Sequence, residues 1–228
     1  GLPLQAAQVV ATYIAGGYDR SWRDGYWQVM NQLGLDVDGV LADFIPVYQR
    51  LVIGHTDGVN LFHPGDDKDP PCWNWPEHRG YPKKTVGRVW NTIIASHDFW
   101  MNLGETPGCS TLRLVILDLL RRHDVYFITA RPGVNAKWQT EQWLIRHLGI
   151  ERPTVLISSA KGLCAQALKL DCYIDDNLDN ANAVREQNPA TRMYLLNKRY
   201  NQSTWPDIGG IVRVDTVGAF LDAELTNL

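Results

Sequence analysis

Short, nearly continuous apolar runs recur along the chain from residue 33 and alternate with longer amphipathic segments. Runs rich in Val, Ile, Leu, Tyr and Phe are typical of parallel strands that are buried on both faces. Their alternation with helical patterns predicts an α/β fold, a parallel sheet with helices on both faces. The predicted strands are Leu33–Val37, Val125–Thr129, Thr154–Ser158, Cys172–Asp175, Arg192–Leu196 and Ile211–Val214.

Helical spacing of apolar residues follows several of these runs, and one long stretch interrupts the rhythm. From 45 to 107 the only clear helical pattern is Val86 to Ser96, so we interpret 45–107 as an insert over the carboxyl edge of the sheet. We predict three parts: an N-terminal extension at 1–31, whose role we do not assign, the insert, and a core built from 32–44 and 108–228. The predicted core helices are Leu112–His123, Asn135–Leu148, Leu178–Gln187 and Thr216–Leu225.

Composition narrows the classes of protein that fit this pattern. Apolar residues make up 45% of the chain and charged residues 21%, which is typical of a globular domain. No uncharged apolar run approaches the ~18 residues that a membrane span needs, and the start of the chain lacks the pattern of a signal peptide. The net charge of −3 argues against stable nucleic-acid binding. The four cysteines form no C-x-x-C pair, so we expect free thiols and a cytoplasmic protein.

Polar groups follow four successive predicted core strands at the point where each strand ends. In an open α/β sheet the carboxyl ends of the strands form the edge where ligands bind, so we expect these groups to meet. They comprise carboxylates, a hydroxyl and an ammonium: Asp36, Asp38, Thr129, Lys161, Asp175 and Asp176.

This set of side chains predicts a metal-assisted phosphoryl-transfer site. Adjacent acids such as Asp175 and Asp176 repel one another unless a cation lies between them, and a hard divalent ion with oxygen ligands, most simply Mg²⁺, fits. Thr129 and Lys161 can hold an anionic group beside that ion. A carboxylate can then attack phosphorus while the metal and Lys161 neutralise the phosphate oxygens.

The ordered set resembles the haloacid dehalogenase superfamily of phosphohydrolases over about residues 33–228. The pair Asp36 and Asp38 matches its first motif, Thr129 the second, Lys161 the third and 175–176 the fourth. A receiver domain also combines acids with a Thr and a Lys, but its phosphorylated Asp lies on a later strand, after the acidic pair. The resemblance implies a Rossmann-like core with a small, mainly helical cap inserted after the first strand, here at 45–107.

The roles of the acids follow from the same resemblance. Asp36 is the expected nucleophile and forms an aspartyl-phosphate, and Asp38 is the expected general acid and base. Mg²⁺ is expected on Asp36, on the backbone carbonyl of Asp38, and on Asp175 or Asp176; the sequence leaves open which acid of that pair binds directly.

Within the superfamily the chain is most similar to the 5′(3′)-deoxyribonucleotidases and their bacterial and phage relatives. The stretches that carry this similarity are 36–44, 98–108 and 173–176. The chain departs from the mammalian members in two places: Ala130 and Arg131 stand where those have Ser-Pro after the motif Thr, and Ser159 stands where they have an Arg.

The similarity also suggests which residues bind substrate. Arg131 is expected either on the phosphate or base, or in a surface ion pair with an acid of the cap. Phe44 is expected against the base or in the core at the cap hinge, and Trp73 and Trp75 stack on a base or pack inside their own loop. The expected phosphate-binding residues are Thr129, Ala130, Arg131 and Lys161. The expected substrate-binding residues are Phe44, Trp73, Trp75, Phe99 and Trp100.

The leading hypothesis is a Mg²⁺-dependent phosphatase that acts on nucleoside 5′-monophosphates. A second keeps the chemistry but changes the substrate to a polynucleotide 3′-end or a small phosphorylated metabolite. A third is a nucleotide-binding module that has lost turnover; Asp38 argues against it, because an acid–base group is needed only for turnover. A nucleoside monophosphate is the expected partner, no membrane is expected, and a homodimer is left open.

Overall fold

The computed structural model describes residues 30–56, 61, 70–202 and 209–225. Apart from its last two residues, the predicted extension at 1–31 lies outside the described residues. In this part of the chain eight strands are present, of which β2 and β3 are only two residues long. They are β1 (Gln32–Leu35), β2 (Ala42–Asp43), β3 (Gly104–Glu105), β4 (Asp124–Thr129), β5 (Thr154–Ile157), β6 (Cys172–Asp175), β7 (Arg192–Leu196) and β8 (Ile211–Val214).

Six of these strands form one parallel sheet in the order β5-β4-β1-β6-β7-β8. Strand β1 lies near the centre, between β4 and β6, so the residues that follow it reach the carboxyl edge beside both neighbours. The described helices are α1 (Ile45–Gly54), α2 (Trp75–His78), α3 (Lys83–Ala95), α4 (Arg113–Arg122), α5 (Ala136–Leu148), α6 (Lys161–Leu168), α7 (Leu178–Gln187) and α8 (Val217–Leu225).

Apolar side chains cover both faces of the sheet, as the predicted pattern requires. Successive residues of a strand point to opposite faces, and Tyr173 and Ile174 of β6 accordingly belong to two different apolar clusters. Tyr194 and Leu195 of β7 divide in the same way. A sheet that is buried on both faces leaves its carboxyl edge as the place where polar side chains can gather.

The described part of the insert is mainly helical. Its helices are α1, α2 and α3; Thr85, Val89 and Ile93 form the buried face of α3. A two-stranded antiparallel ribbon of β2 and β3 joins the insert to the core, and the Thr106 hydroxyl donates to the carbonyl oxygens of Val40 and Leu41. The insert is therefore connected to the backbone that directly follows β1.

The predicted α/β fold is confirmed, with small differences at the ends of elements. Strands β6, β7 and β8 have the predicted bounds, whereas β1 ends at Leu35, two residues earlier than expected, because the chain turns there. Helices α1, α2 and α6 were not predicted. No described helix combines the length and apolar character of a membrane span, and all four cysteines are free thiols.

A buried carboxylate holds the C-terminal helix on the sheet. Glu224 of α8 is fully buried and accepts hydrogen bonds from Arg192 Nε at 3.0 Å and from the Tyr194 hydroxyl at 2.6 Å, both on β7. Burial alone would raise the pKa of Glu224, but these hydrogen bonds outweigh it and hold that pKa below its ordinary value of 4.5. The ionised form therefore contributes to the stability of the fold.

We expect Glu224→Gln to lower the free energy of unfolding by about 2 kcal/mol at pH 7, less than for a fully buried pair because Arg192 is partly exposed. The pKa of Glu224 is lower in the folded state than in the unfolded state. Its contribution to stability is therefore fully present above the unfolded-state pKa and is lost as the pH falls through the folded-state pKa. Denaturant unfolding of both proteins from neutral to acidic pH measures this.

The stability difference should therefore shrink in acid. Glu186→Gln, which changes an exposed carboxylate of α7, is the matched control and should leave stability unchanged. Equal stability of wild type and Glu224→Gln at pH 7 would contradict the role assigned to this carboxylate.

Candidate active site

Asp36 leaves the sheet at the end of β1 and lies at its carboxyl edge. Its backbone N–H donates to the carbonyl oxygen of Ile174 at 3.0 Å, which continues the pairing with β6 by one residue. The chain then turns tightly, with the N–H groups of Leu41 and Ala42 both donating to the carbonyl oxygen of Val37 at 2.8 Å. This turn places the side chains of Asp36 and Asp38 in the same cavity.

Gly39 is required in this turn for two reasons. Its φ is +77°, a conformation that residues with a Cβ rarely adopt. A Cβ at this position would also collide with the carboxylate of Asp176. The glycine of the first motif therefore lets the acid that follows β6 approach the backbone of the turn.

Lys161 joins two of the carboxylates. It begins α6, its side chain is only 2% exposed, and its Nζ lies 2.6 Å from Asp36 Oδ1 and 3.0 Å from Asp175 Oδ2. Burial alone would lower the pKa of Lys161, but attraction to Asp175 and Asp36 holds that pKa above its ordinary value. Lys161 is therefore a permanent cation among the buried acids.

The two adjacent acids after β6 have different surroundings. Asp175 is completely buried and accepts hydrogen bonds from the Tyr173 hydroxyl, the Asn177 N–H and Asn180 Nδ2 as well as from Lys161. Asp176 lines the cavity that Asp36 and Asp38 also line, and Asp175 does not. The geometry thus favours Asp176 for direct contact with a ligand and Asp175 for holding Lys161 in place.

Three carboxylates form a compact cluster that fits a small divalent cation. One oxygen from each of Asp36, Asp175 and Asp176 lies within 4.8 Å of the others, and all three residues are buried. Burial is the largest cause that raises the pKa of Asp36 well above its ordinary range and that of Asp176 to about 7, and repulsion from Asp175 adds to both. Such acids are unfavourable together without a cation, and their hard oxygen ligands are those that Mg²⁺ prefers.

Arg131 binds Asp38 and is not on the surface. Its side chain is fully buried; Nε donates to Asp38 Oδ2 at 2.9 Å, and Nη2 to Oδ1 at 2.7 Å. Nη1 donates to the Thr140 hydroxyl at 3.1 Å, and the guanidinium lies 5.1 Å from the centre of the Trp100 ring. The alternative of a surface pair with a cap acid was therefore wrong, because the partner belongs to the first motif and the guanidinium has no access to solvent.

Thr129 and its neighbours complete the polar end of the cavity. The Thr129 hydroxyl donates to Asp38 Oδ2 at 3.2 Å, and Ala130 follows at the exposed surface of the same loop. Both residues line the cavity together with Arg131 and Lys161. The structure thus brings all four predicted phosphate-binding residues to one place.

Aromatic side chains form one wall of this open cavity, whose volume is about 120 Å³. Phe44, Trp73, Trp90 and Trp100 line it, and the Phe44 ring stacks on those of Trp90 and Trp100 with centroid separations of 5.9 and 5.8 Å. Trp73 is half-exposed. The cavity therefore has one charged end and one aromatic side.

Two predicted substrate-binding residues are not among those that line the cavity. Trp75 is 1% exposed and packs edge-on against Tyr48 and Tyr81 inside the cap. Phe99 lies behind the wall, where it contacts Phe44 and Trp100 edge-on. An aromatic residue in a loop has the same sequence signature whether it packs inside the protein or binds a ligand. Here the packing of the cap determines that Trp75 and Phe99 do not line the cavity.

Sequence reasoning missed several residues at or beside this cavity, among them Trp90, Asn180 and Tyr200. Trp90 belongs to the predicted cap helix, but nothing in its spacing distinguishes it from a core residue. Asn180 and Tyr200 contact the acidic pair from α7 and from the loop after β7. Tyr200 follows the carboxyl end of a predicted strand, and that position could have suggested it.

No protein-family model and no curated protein sequence matches the chain, whereas solved structures match its fold. A haloacid dehalogenase-like hydrolase from Burkholderia xenovorans matches with a TM-score of 0.53 and 14% identity, over 87% of this chain and 98% of that one. A HAD family hydrolase from Deinococcus radiodurans, solved with phosphate and sodium, matches with a TM-score of 0.50 and 13% identity, over 88% and 96% of the two chains.

A third structure with this fold performs different chemistry. The L-2-haloacid dehalogenase from Xanthobacter autotrophicus has a TM-score of 0.50 and 10% identity, over 86% of this chain and 99% of that one. At these identities the likeness shows the haloacid dehalogenase-like fold, and the side chains of the site must carry the functional argument.

We expect Mg²⁺ to raise the melting temperature of the metal-free protein by roughly 5 °C or more at saturation, because binding to the folded state alone stabilises it. Asp36→Asn and Asp176→Asn should each abolish most of this shift, since each removes one oxygen ligand. Thermal unfolding with and without chelator measures it.

Glu186→Gln removes an exposed carboxylate of α7 and should leave the full Mg²⁺ shift. A shift of equal size in Asp176→Asn and in wild type would place the metal elsewhere. The metal-free form of Asp176→Asn should melt no lower than wild type, because it has one fewer buried acid to repel Asp36 and Asp175.

Proposed function

We propose that the protein is a Mg²⁺-dependent phosphomonoesterase that hydrolyses (deoxy)nucleoside 5′-monophosphates to nucleoside and phosphate. One observation carries this proposal: a single cavity joins the buried Asp36–Lys161 pair to a wall of aromatic rings. The charged end suits a phosphate group, and the aromatic side suits a base. The fold relative that holds phosphate supports a phosphate-handling role.

Asp36 and Asp176 would hold the metal through their side chains, and the resemblance adds the backbone carbonyl of Asp38. Bound there, Mg²⁺ would neutralise the phosphate oxygens and favour their approach to Asp36. Asp175 binds Lys161 at 3.0 Å and so keeps its ammonium beside the nucleophile. Lys161 opposes the rise in the pKa of Asp36 and thereby favours the carboxylate that attacks.

In the first step an oxygen of Asp36 attacks phosphorus, the phosphorus–oxygen bond to the nucleoside breaks, and the protonated form of Asp38 gives its proton to the leaving oxygen. In the second step Asp38 takes a proton from water, the water oxygen attacks the same phosphorus, and the bond to Asp36 breaks to release phosphate. Arg131 and Thr129 both donate to the Asp38 carboxylate and so orient it for the two proton transfers.

The aromatic wall supports a nucleotide over a small phosphometabolite. Every base has a π-face, and stacking it on an aromatic side chain is worth ~1–3 kcal/mol. The Trp90 and Trp100 rings both stack on Phe44 and border the cavity with it. Trp73 adds a half-exposed ring from the cap. A polynucleotide would favour a basic groove, and the net charge of −3 offers it no support.

Asp38 also argues against the other chemistries that this fold supports. A halide leaves as a stable anion and needs no proton, so a dehalogenase would have no need of a general acid at this position. A nucleotide-binding module without turnover would have none either. We therefore place the protein among phosphatases, and its four free thiols support a cytoplasmic location.

We expect at least one (deoxy)nucleoside 5′-monophosphate to exceed p-nitrophenyl phosphate in kcat/KM when phosphate release is measured across a panel of nucleotides with Mg²⁺. Asp36→Asn should lose several orders of magnitude in kcat because the nucleophile is removed, and it should keep its fold because Asp175 still pairs with Lys161. A generic ester that outperforms every nucleotide would refute the nucleotidase proposal. Asp36→Asn activity within tenfold of wild type would refute the assigned chemistry.

Trp90→Leu should raise KM for the best nucleotide about tenfold and change that for p-nitrophenyl phosphate much less, because stacking on a base is lost while an apolar side chain remains. Trp138→Leu, which changes a half-exposed tryptophan of α5 that does not line the cavity, is the matched control. Equal losses on both substrates in Trp90→Leu would show that Trp90 is a packing residue of the cap.

A further inference from the structure

The Tyr200 hydroxyl donates to Asp176 Oδ2 and links that acid to the loop after β7. Tyr200 is 8% exposed and lies in a short 3₁₀ turn, Arg199–Asn201. The next residue anchors this turn, because Asn201 Nδ2 donates to the carbonyl oxygen of Asp176 at 2.8 Å and to that of Leu196 at 2.7 Å. The loop after β7 therefore holds both the side chain and the backbone of Asp176.

The turn after β1 restricts the same carboxylate from the opposite side. The carboxylate of Asp176 lies so close to Gly39 that a Cβ there would overlap it, and that Cβ would lie 3.2 Å from the Tyr200 hydroxyl. Asp176 thus packs between the glycine of the first motif and Tyr200. Its carboxylate has a single orientation as long as both neighbours stay in place.

A cap residue contacts the other side of Tyr200. The rings of Trp73 and Tyr200 meet edge-on, with centroids 5.5 Å apart and planes at 66°. Trp73 belongs to the insert, whereas Tyr200 belongs to the core, and Trp73 also lines the cavity. A line of contacts therefore runs from the cap through Trp73 and Tyr200 to Asp176.

We propose that Tyr200 is the positioning residue that orients Asp176 for the metal, and that Trp73 of the cap supports it in that role. This inference rests on the metal site in the proposed function. Partners that orient a metal ligand typically contribute 10- to 100-fold to metal affinity. Tyr200 lies outside the four motifs, 24 residues beyond Asp176.

The first test measures Mg²⁺ binding to Tyr200→Phe by calorimetry, without substrate. The variant keeps the ring and its packing and loses only the hydroxyl, and we expect Kd for Mg²⁺ to rise about 10-fold or more. Tyr194→Phe is the matched control: it also removes a tyrosine hydroxyl that donates to a buried carboxylate, Glu224, but this one lies outside the site. Its Kd for Mg²⁺ should equal that of wild type.

An unchanged or lower Kd in Tyr200→Phe would overturn the inference, and so would an equal rise in Tyr194→Phe. This readout separates the inference from the proposed function. If Tyr200→Phe weakens Mg²⁺ binding while wild type hydrolyses no nucleotide, the positioning role of Tyr200 is supported and the proposed substrate is wrong. If wild type binds no Mg²⁺, both are overturned.

A double-mutant cycle tests the role of Trp73. Trp73→Ala should raise Kd for Mg²⁺ about three- to tenfold, which lies in the lower part of the range that coupling between contacting residues gives. In the Tyr200→Phe background the same substitution should have no further effect, because the hydroxyl through which Trp73 acts is already absent. Trp138→Ala should have no effect in either background. A Trp73→Ala effect that persists in Tyr200→Phe would overturn the link through Tyr200.

Discussion

The ammonium of Lys161, held between the carboxylates of Asp36 and Asp175, is the interaction on which the site depends. Asp36 follows β1, Lys161 follows β5 and Asp175 ends β6, so they meet only when these strands have paired in the sheet. Removing one partner from such a buried pair leaves the other charge uncompensated, which typically costs about 3–5 kcal/mol. Formation of the fold and assembly of the site are therefore one cooperative event, and the polar edge is part of what makes this arrangement of strands specific.

The charge of this cluster is unbalanced, and the imbalance explains its chemistry. Lys161 balances the charge of one of the three buried carboxylates, so the remaining negative charge suits a divalent cation. The cation and the lysine together can then bind a phosphate group. A second ion pair, between Arg131 and Asp38, occupies the side of the cavity toward the cap. Because Arg131 also lies over Trp100, it is the point at which the charged end meets the aromatic wall.

Most of the sheet could be predicted from sequence because parallel strands that are buried on both faces leave a continuous apolar signal, as β6 and β7 do. The acidic edge could be predicted because the carboxyl ends of such strands must meet. Helix α6 was missed because small residues occupy its buried face, and Gly162 lies against the backbone of Ala183 where an apolar side chain would have been visible. The roles of Trp75 and Trp90 could not be predicted, since both are apolar cap residues. Only tertiary packing places Trp75 inside the cap and Trp90 at the cavity.

The insert, which forms the cap, leaves and rejoins the core close to the candidate active site. Few residues therefore separate the cap from that site. Its first helix begins directly after Phe44, six residues beyond Asp38, and its return passes through Trp100, whose indole N–H donates to the carbonyl oxygen of Pro132 at 3.0 Å. Pro132 follows Arg131, which binds Asp38. One end of the cap thus continues the backbone that carries Asp38, and the other contacts the loop whose arginine binds the Asp38 carboxylate. Because both contacts lead to Asp38, a movement of the cap would change the packing around this carboxylate, and a ligand that fills the cavity would touch the cap and Asp38 at the same time.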